Sequence, residues 1–229
     1  MRRLASVLVL VLLLTACGGS SEKKADEKAE PFAGQDLSTV LSQARRAALD
    51  SPFLTVRGEG NLDSGRFSLN LFYVGDTTSG YVGNTFGTLS LLRVDGDDYA
   101  SPGNGFFYEE LEERALELED EVDGRWIALG TDNKNLFLHR AQLLRSSLKP
   151  AGALRRGKAK MLYGVECVAL EHEGGTIYVS PKDNRPLQVI DGEGNVVNFE
   201  YDRHEKPTPP EPDEVVDPRE LTAFGSLKV

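Results

Sequence analysis

The spacing of polar and apolar residues changes several times along the chain, and each change predicts an element. Leu37, Val40, Leu41, Ala44, Ala47 and Ala48 recur at i, i+3, i+4, i+7, i+10 and i+11, the apolar stripe of a helix, with Asp36 and Ser38 as caps and Pro52 as a stop. The period then drops to two. Phe67, Leu69, Leu71 and Tyr73 alternate with Ser68 and Asn70, and Leu89 and Leu91 alternate with Thr88 and Ser90. With the Gly- and Asp-rich turns between them, Asp95-Gly96 above all, these predict five consecutive antiparallel strands over 53–60, 66–74, 79–84, 88–95 and 97–101.

Helical spacing returns at Phe107, Leu111, Ala115, Leu118 and Val122, while Glu109, Glu110, Glu112, Glu113, Glu117, Glu119, Asp120 and Glu121 cover the rest of that surface. The acid run reads as a solvated helix face; a cation- or partner-binding strip is the sharper alternative. A short strand over 125–129 carries Trp126, and Phe137, Ala141, Leu144 and Leu148 then mark a third helix stopped by Pro150. Strands over 158–171, 174–180, 186–191 and 195–203 follow, joined by loops rich in Gly, Asp and Asn. An extended Pro-rich stretch over 207–212 leads to Glu214-Val215-Val216, an edge strand, and 218–229 reads as a loosely held tail. The predicted fold class is α+β, with about ten strands in one long antiparallel sheet and three helices sharing one of its faces.

The N-terminus adds a location. Arg2 and Arg3 precede an apolar run over 4–14, and the small pair Thr15-Ala16 precedes Cys17. That run is well short of the roughly 20 residues of a spanning helix, and the layout is that of an export signal. Leu14-Thr15-Ala16-Cys17 has the form of a lipobox, in which the thiol is acylated and the chain is cut between Ala16 and Cys17. An ordinary signal peptide with a chance cysteine is the alternative. On the lipobox reading, residues 1–16 are the signal peptide, 17–36 the lipidated cysteine and a flexible tether, and 37–217 the folded domain. The tether has a reach of about 25 Å. Two acyl chains hold a protein stably where one does not, so the expected location is the extracytoplasmic face of the cell membrane.

Charge and chemistry then exclude more than they assign. Lys+Arg number 26 against Asp+Glu 36, a formal net charge of −10, which argues against a nucleic-acid partner and leaves the acyl anchor, not a basic patch, to hold the membrane. Two cysteines, Cys17 and Cys167, make no disulfide framework, and His139, His172 and His204 are scant material for a metal site. Asp95-Gly96-Asp97-Asp98 resembles a calcium loop, but Phe106 stands where the bidentate Glu is needed. No Gly-x-Ser-x-Gly, His-Glu-x-x-His or paired-cysteine motif occurs, so neither a catalytic site nor a cofactor is expected. Cys167 alternates with Val165 and Ala169 and is expected to face the core as a small hydrophobe.

A family resemblance rests on several segments together. The lipobox and tether, a first helix ending at Ser51-Pro52, Val56-Arg57-Gly58-Glu59-Gly60, the turn Val94-Asp95-Gly96-Asp97-Asp98-Tyr99, the aromatic patch Phe106-Phe107-Tyr108, Gly124-Arg125-Trp126-Ile127-Ala128-Leu129 and the ending Pro209-Pro210-Glu211-Pro212-Asp213-Glu214-Val215 are similar to actinobacterial lipoproteins of the LppX/LprG type. That group shares its fold with LolA, the periplasmic lipoprotein carrier, and with RseB-like sensors. The resemblance implies an unclosed half-barrel curled around its helices, with a hydrophobic cavity that holds acyl chains. Phe67, Leu69, Leu71, Tyr73, Leu89, Leu91, Phe107, Leu111, Phe137, Leu144, Val197 and Phe199 are then the candidate lining, and they are equally the core if the space is filled. The implied function is non-catalytic: binding a lipid or glycolipid by its chains for transfer or presentation in the envelope. A sensor or scaffold contacting a protein partner is the alternative.

Overall fold

The computed structural model of the chain describes residues 31–62, 65–103, 105–130 and 135–222. Ala16, Cys17, the signal peptide and most of the expected tether lie outside the described residues, as do residues 223–229. Residues 31–34 form a turn on the domain, where Phe32 packs on the core and Arg156 donates to the Pro31 and Phe32 carbonyls at 2.8 and 3.1 Å.

The first helix, α1 (Leu37–Leu49), starts where the Asp36 carboxylate accepts the Thr39 N–H at 3.1 Å. A meander follows: β1 (Phe53–Leu62), β2 (Gly65–Val74), β3 (Thr77–Gly83), β4 (Thr88–Val94) and β5 (Asp97–Gly103), each paired with the next. Then come α2 (Tyr108–Leu111), α3 (Arg114–Val122), β6 (Trp126–Ala128) and α4 (Arg140–Ser147). The second half is β7 (Arg155–Arg156), β8 (Lys160–Leu162), β9 (Val165–His172), β10 (Gly175–Val179), β11 (Pro186–Asp191), β12 (Val196–Glu200) and β13 (Val215–Val216). The sheet runs β13-β6-β5-β4-β3-β2-β1-β12-β11-β10-β9-β7, with β8 also on β9; every pairing is antiparallel except β13 with β6. Two meanders therefore lie side by side, joined where Val56 of β1 faces Phe199 of β12 and Leu71 of β2. The result is the expected α+β architecture, one long unclosed sheet of 13 described strands.

Three local expectations need correction. The second helix is broken: Glu112 has φ 53° and separates a single turn, α2, from α3. The predicted strand 158–171 is a hairpin, because Tyr163 and Gly164, at φ 49° and 75°, turn β8 back onto β9 with Leu162 opposite Val165. Cys167 is buried, but strand alternation puts it on the face opposite Val168 and Leu170, which join the main core; its cross-strand neighbour is Lys160.

The helices share one face of the sheet and divide its core in two. The larger cluster packs Val40, Leu41, Ala44 and Ala48 of α1 and Leu143 and Leu144 of α4 over Leu54, Val56, Leu71, Leu91, Leu170, Ile177 and Phe199 of the strands. Arg45 ties the two helices by donating to the Leu148 carbonyl. The smaller cluster joins Ala115, Leu118 and Val122 of α3 to Ile127 of β6, Val216 of β13 and Leu221. On the opposite face Thr55, Phe72, Ser79 and Leu92 stand in register across four strands. A strap, residues 201–214, crosses that face. The His204 ring lies 2.7 Å from the Thr55 hydroxyl and 4.6 Å from the Phe72 ring, Lys206 pairs with Asp95 at 3.1 Å, and the strap's prolines run over Ser79 and Leu92. Leu92 is thereby buried although it belongs to neither cluster.

Candidate functional site

An apolar cavity of about 210 Å³ lies at the seam between the two clusters. Val82 of β3, Leu89 of β4 and Ala100 of β5 form its floor, and Ile127 and Leu129 one wall. Phe106, Phe107, Asn135 and Phe137 complete it. Its cause is visible in one row of the sheet: Leu91, Ala100 and Ile127 are cross-strand neighbours, and the small side chain of Ala100 leaves a gap between two large ones. The aromatic side is held firmly. Asn84 donates to the Phe106 carbonyl at 2.8 Å, the Phe106 and Phe107 rings meet edge to face at 5.1 Å, and the Tyr73 hydroxyl donates to the Phe137 carbonyl at 2.7 Å. Burial pushes the Tyr73 phenol well above its ordinary pKa, so it stays a donor.

A larger cleft, about 820 Å³, opens at the other end of the same strands and carries charged groups among its apolar lining. Arg93, His139, Arg140 and Lys206 line it together with Asp76 and Asp95. Beneath it the buried Asp98 accepts from Arg93 at 2.6 Å, and the His139 ring lies 3.8 Å from its other oxygen. Charges of both signs make this cleft costly for hydrocarbon. Burial lowers the Arg140 pKa while Asp76 partly restores it, and its guanidinium donates to the Ser51 carbonyl at 2.6 Å. The short segment before α4 separates the two spaces: Phe137 faces the apolar one and His139 the charged one.

The twelve candidate lining residues are divided by this geometry. Leu89, Phe107 and Phe137 line the cavity. Leu69, Leu71, Leu91, Leu144 and Phe199 are buried in the larger cluster, with Phe67 and Val197 packed at its margin. Tyr73 reaches the charged cleft, and Leu111 belongs to the smaller cluster. Val82, Ala100, Phe106, Ile127, Leu129 and Asn135 were not among the candidates. Phe106, Ile127 and Leu129 fall within segments that carry the family resemblance, which was their one signal. Among the described residues no helix is long and apolar enough to cross a membrane, and no group of His, Cys, Asp and Glu could hold a metal ion. Most of the acid run is solvated, but Glu119 accepts from the Gly105 N–H and Glu121 from the Thr222 N–H.

The described residues thus define an α+β fold with one long unclosed sheet, helices on one of its faces and an apolar cavity at the seam between them. In particular, the chain is similar in structure to LprF from Mycobacterium bovis, a protein of the LppX/LprG type, with a TM-score of 0.50 at 11% identity over 75% of this chain and 95% of that one. An uncharacterized conserved protein from Thermus thermophilus is matched at 13% identity and a TM-score of 0.40, over 80% of this chain and 99% of that one. The sequence matches no family model and no curated protein. The expected fold is therefore established by structure, at an identity where likeness extends to fold alone.

Proposed function

We propose that this chain is an extracytoplasmic lipoprotein, anchored through Cys17, whose half-barrel binds a lipid or glycolipid by an acyl chain and carries or presents it in the envelope. The observation that carries this reading is the apolar cavity at the seam of the two clusters, in a fold shared with LprF. Each methylene moved there from water contributes about 0.8 kcal/mol. At about 210 Å³ the cavity is smaller than the roughly 300–1,000 Å³ of small-molecule sites, so it suits part of one chain and not a whole lipid. That size also favours a second reading, in which the core is essentially filled and the domain contacts a protein partner as a sensor or scaffold.

Native mass spectrometry of the purified protein separates the two. Co-purified lipid, together with displacement of a bound fluorescent fatty acid by unlabelled fatty acid, is expected; a lipid-free protein that leaves the probe unbound would reject lipid carriage. The anchor has its own test. Cys17→Ser should abolish incorporation of a fatty-acid label and release the protein from membranes or leave the precursor uncut. Wild-type protein that partitions into buffer without detergent would contradict the anchor.

A further inference from the structure

We infer that residues 215–222 are a latch that sets the position of α3, and with it the width of the apolar cavity, so that a chain enters when the latch lets go. The inference rests on the lipid-binding reading and adds its gate.

The buried stripe of α3, Ala115, Leu118 and Val122, packs on Ile127 and on Val216 and Leu221 from the C-terminal segment; neither α1 nor α4 contributes to that cluster. α3 is thus fastened from one side by the sheet and from the other by a short peptide. The fastening is light. β13 pairs with β6 through only Val215 with Trp126 and Val216 with Ile127. Past it, the Thr222 N–H donates to the Glu121 carboxylate at 2.9 Å and Arg114 donates to the Thr222 carbonyl at 3.3 Å, so both ends of α3 are gripped by one residue. The helix also has joints at its ends: Glu112 at φ 53° before it, and Asp123 and Gly124 at φ 50° and 72° after it. A unit with jointed ends and a small separate core opens at lower cost than the large cluster beside it.

The cavity lies on this boundary. Ile127 lines it and belongs to the small cluster, while Phe107 and Leu129 line it and touch both clusters. α3 itself supplies no lining residue, but it backs Ile127, Phe107 and Leu129, so shifting it outward frees that wall of the cavity and leaves the packed layer of α1 and α4 in place.

The test uses the full-length chain carrying Cys17→Ser, and a fluorescent fatty acid as probe. Leu221→Ala removes the buried anchor of the latch and should speed both uptake and release of the probe, on the order of tenfold or more. The converse variant, Glu121→Cys with Thr222→Cys, should form a disulfide across the grip, since Cys167 is buried. Oxidation should slow probe exchange and a reductant should restore it. Exchange rates that match wild type in Leu221→Ala and are equal in the oxidised and reduced forms of the pair would overturn the latch. Absence of probe binding by wild type would instead defeat the lipid-binding reading itself.

Discussion

His172 accepts two backbone bonds on one ring nitrogen: Ala151 donates to Nδ1 at 3.2 Å and Gly174 at 3.0 Å. Only a ring with Nδ1 unprotonated can do this, and burial lowers its pKa below the ordinary value. The folded pKa is thus below the unfolded one of about 6.5, so this contribution is fully present above that pH and is lost as pH falls through the folded value. The melting temperature should drop as the pH falls below about 6.5. His172→Ala should start lower and fall less steeply; parallel curves would remove His172 from the account. At Cys167, burial and then the Asp183 charge push the thiol pKa up. In a Cys17→Ser chain a maleimide should therefore label Cys167 only after denaturation, and rapid labelling of the native protein would contradict its burial. That burial was legible from alternation, but the face was not. Around Cys167 the strand is buried on both sides, with Val168 and Leu170 inward and Cys167 and Ala169 outward, and a period of two loses its direction there.

Gly80 shows what one position does for a whole strand. It lies between Leu71 and Leu91 in adjacent strands, at φ +133°, and a Cβ there would come within 2.1 Å of the Asn70 carbonyl oxygen. Gly80→Ala forces backbone to move and should cost about 1 to 3 kcal/mol, measured by chemical denaturation; a neutral result would mean that β3 is free to shift. Elements such as β2 and β4 were readable because polar and apolar positions alternate over one buried face through Phe67 to Leu71 and Thr88 to Leu91, before Phe72 and Leu92 break the pattern under the strap. The β8–β9 hairpin was hidden because Tyr163 is no usual turn residue, and the apolar sequence continues across it from Leu162 to Val165. The break between α2 and α3 was hidden for a related reason: Leu111 and Ala115 keep helical spacing through it, while Glu112 alone departs.

Across the whole molecule, the site depends on depth, which periodicity does not report. Leu71 and Leu89 both sit on the inner face, yet Leu71 is fully enclosed by the larger cluster and Leu89 borders the cavity. A pattern of alternation assigns both to the same face and stops there; the gap itself arises where Ala100 meets Ile127, residues that α2 and α3 separate along the chain. The two kinds of position should respond oppositely to added bulk. Leu71→Trp overpacks filled space and should cost about 1 to 3 kcal/mol. Ala100→Leu should leave the melting temperature of lipid-free protein unchanged or raised while fluorescent fatty-acid binding falls. Strong destabilisation by Ala100→Leu would mean that the seam holds no usable room.

The strap that crosses the outer face also imposes an order in time. It leaves β12 at the middle of the sheet, passes over β1 to β4, and ends on β6 at the edge. Its seat is made by β1 to β4 and β6, all early in the chain, whereas the strap itself follows β12, so it closes through contacts between residues far apart in sequence. Such long-range closure is slow. A newly made molecule accordingly passes through a stage in which Leu92 and the inner seam are uncovered together, before Val216 and Leu221 arrive. The last described residues to be synthesised are thus also the ones that complete both faces of the sheet, and truncation upstream of Val215 should yield chains that are captured by chaperones or cleaved rather than a smaller stable domain.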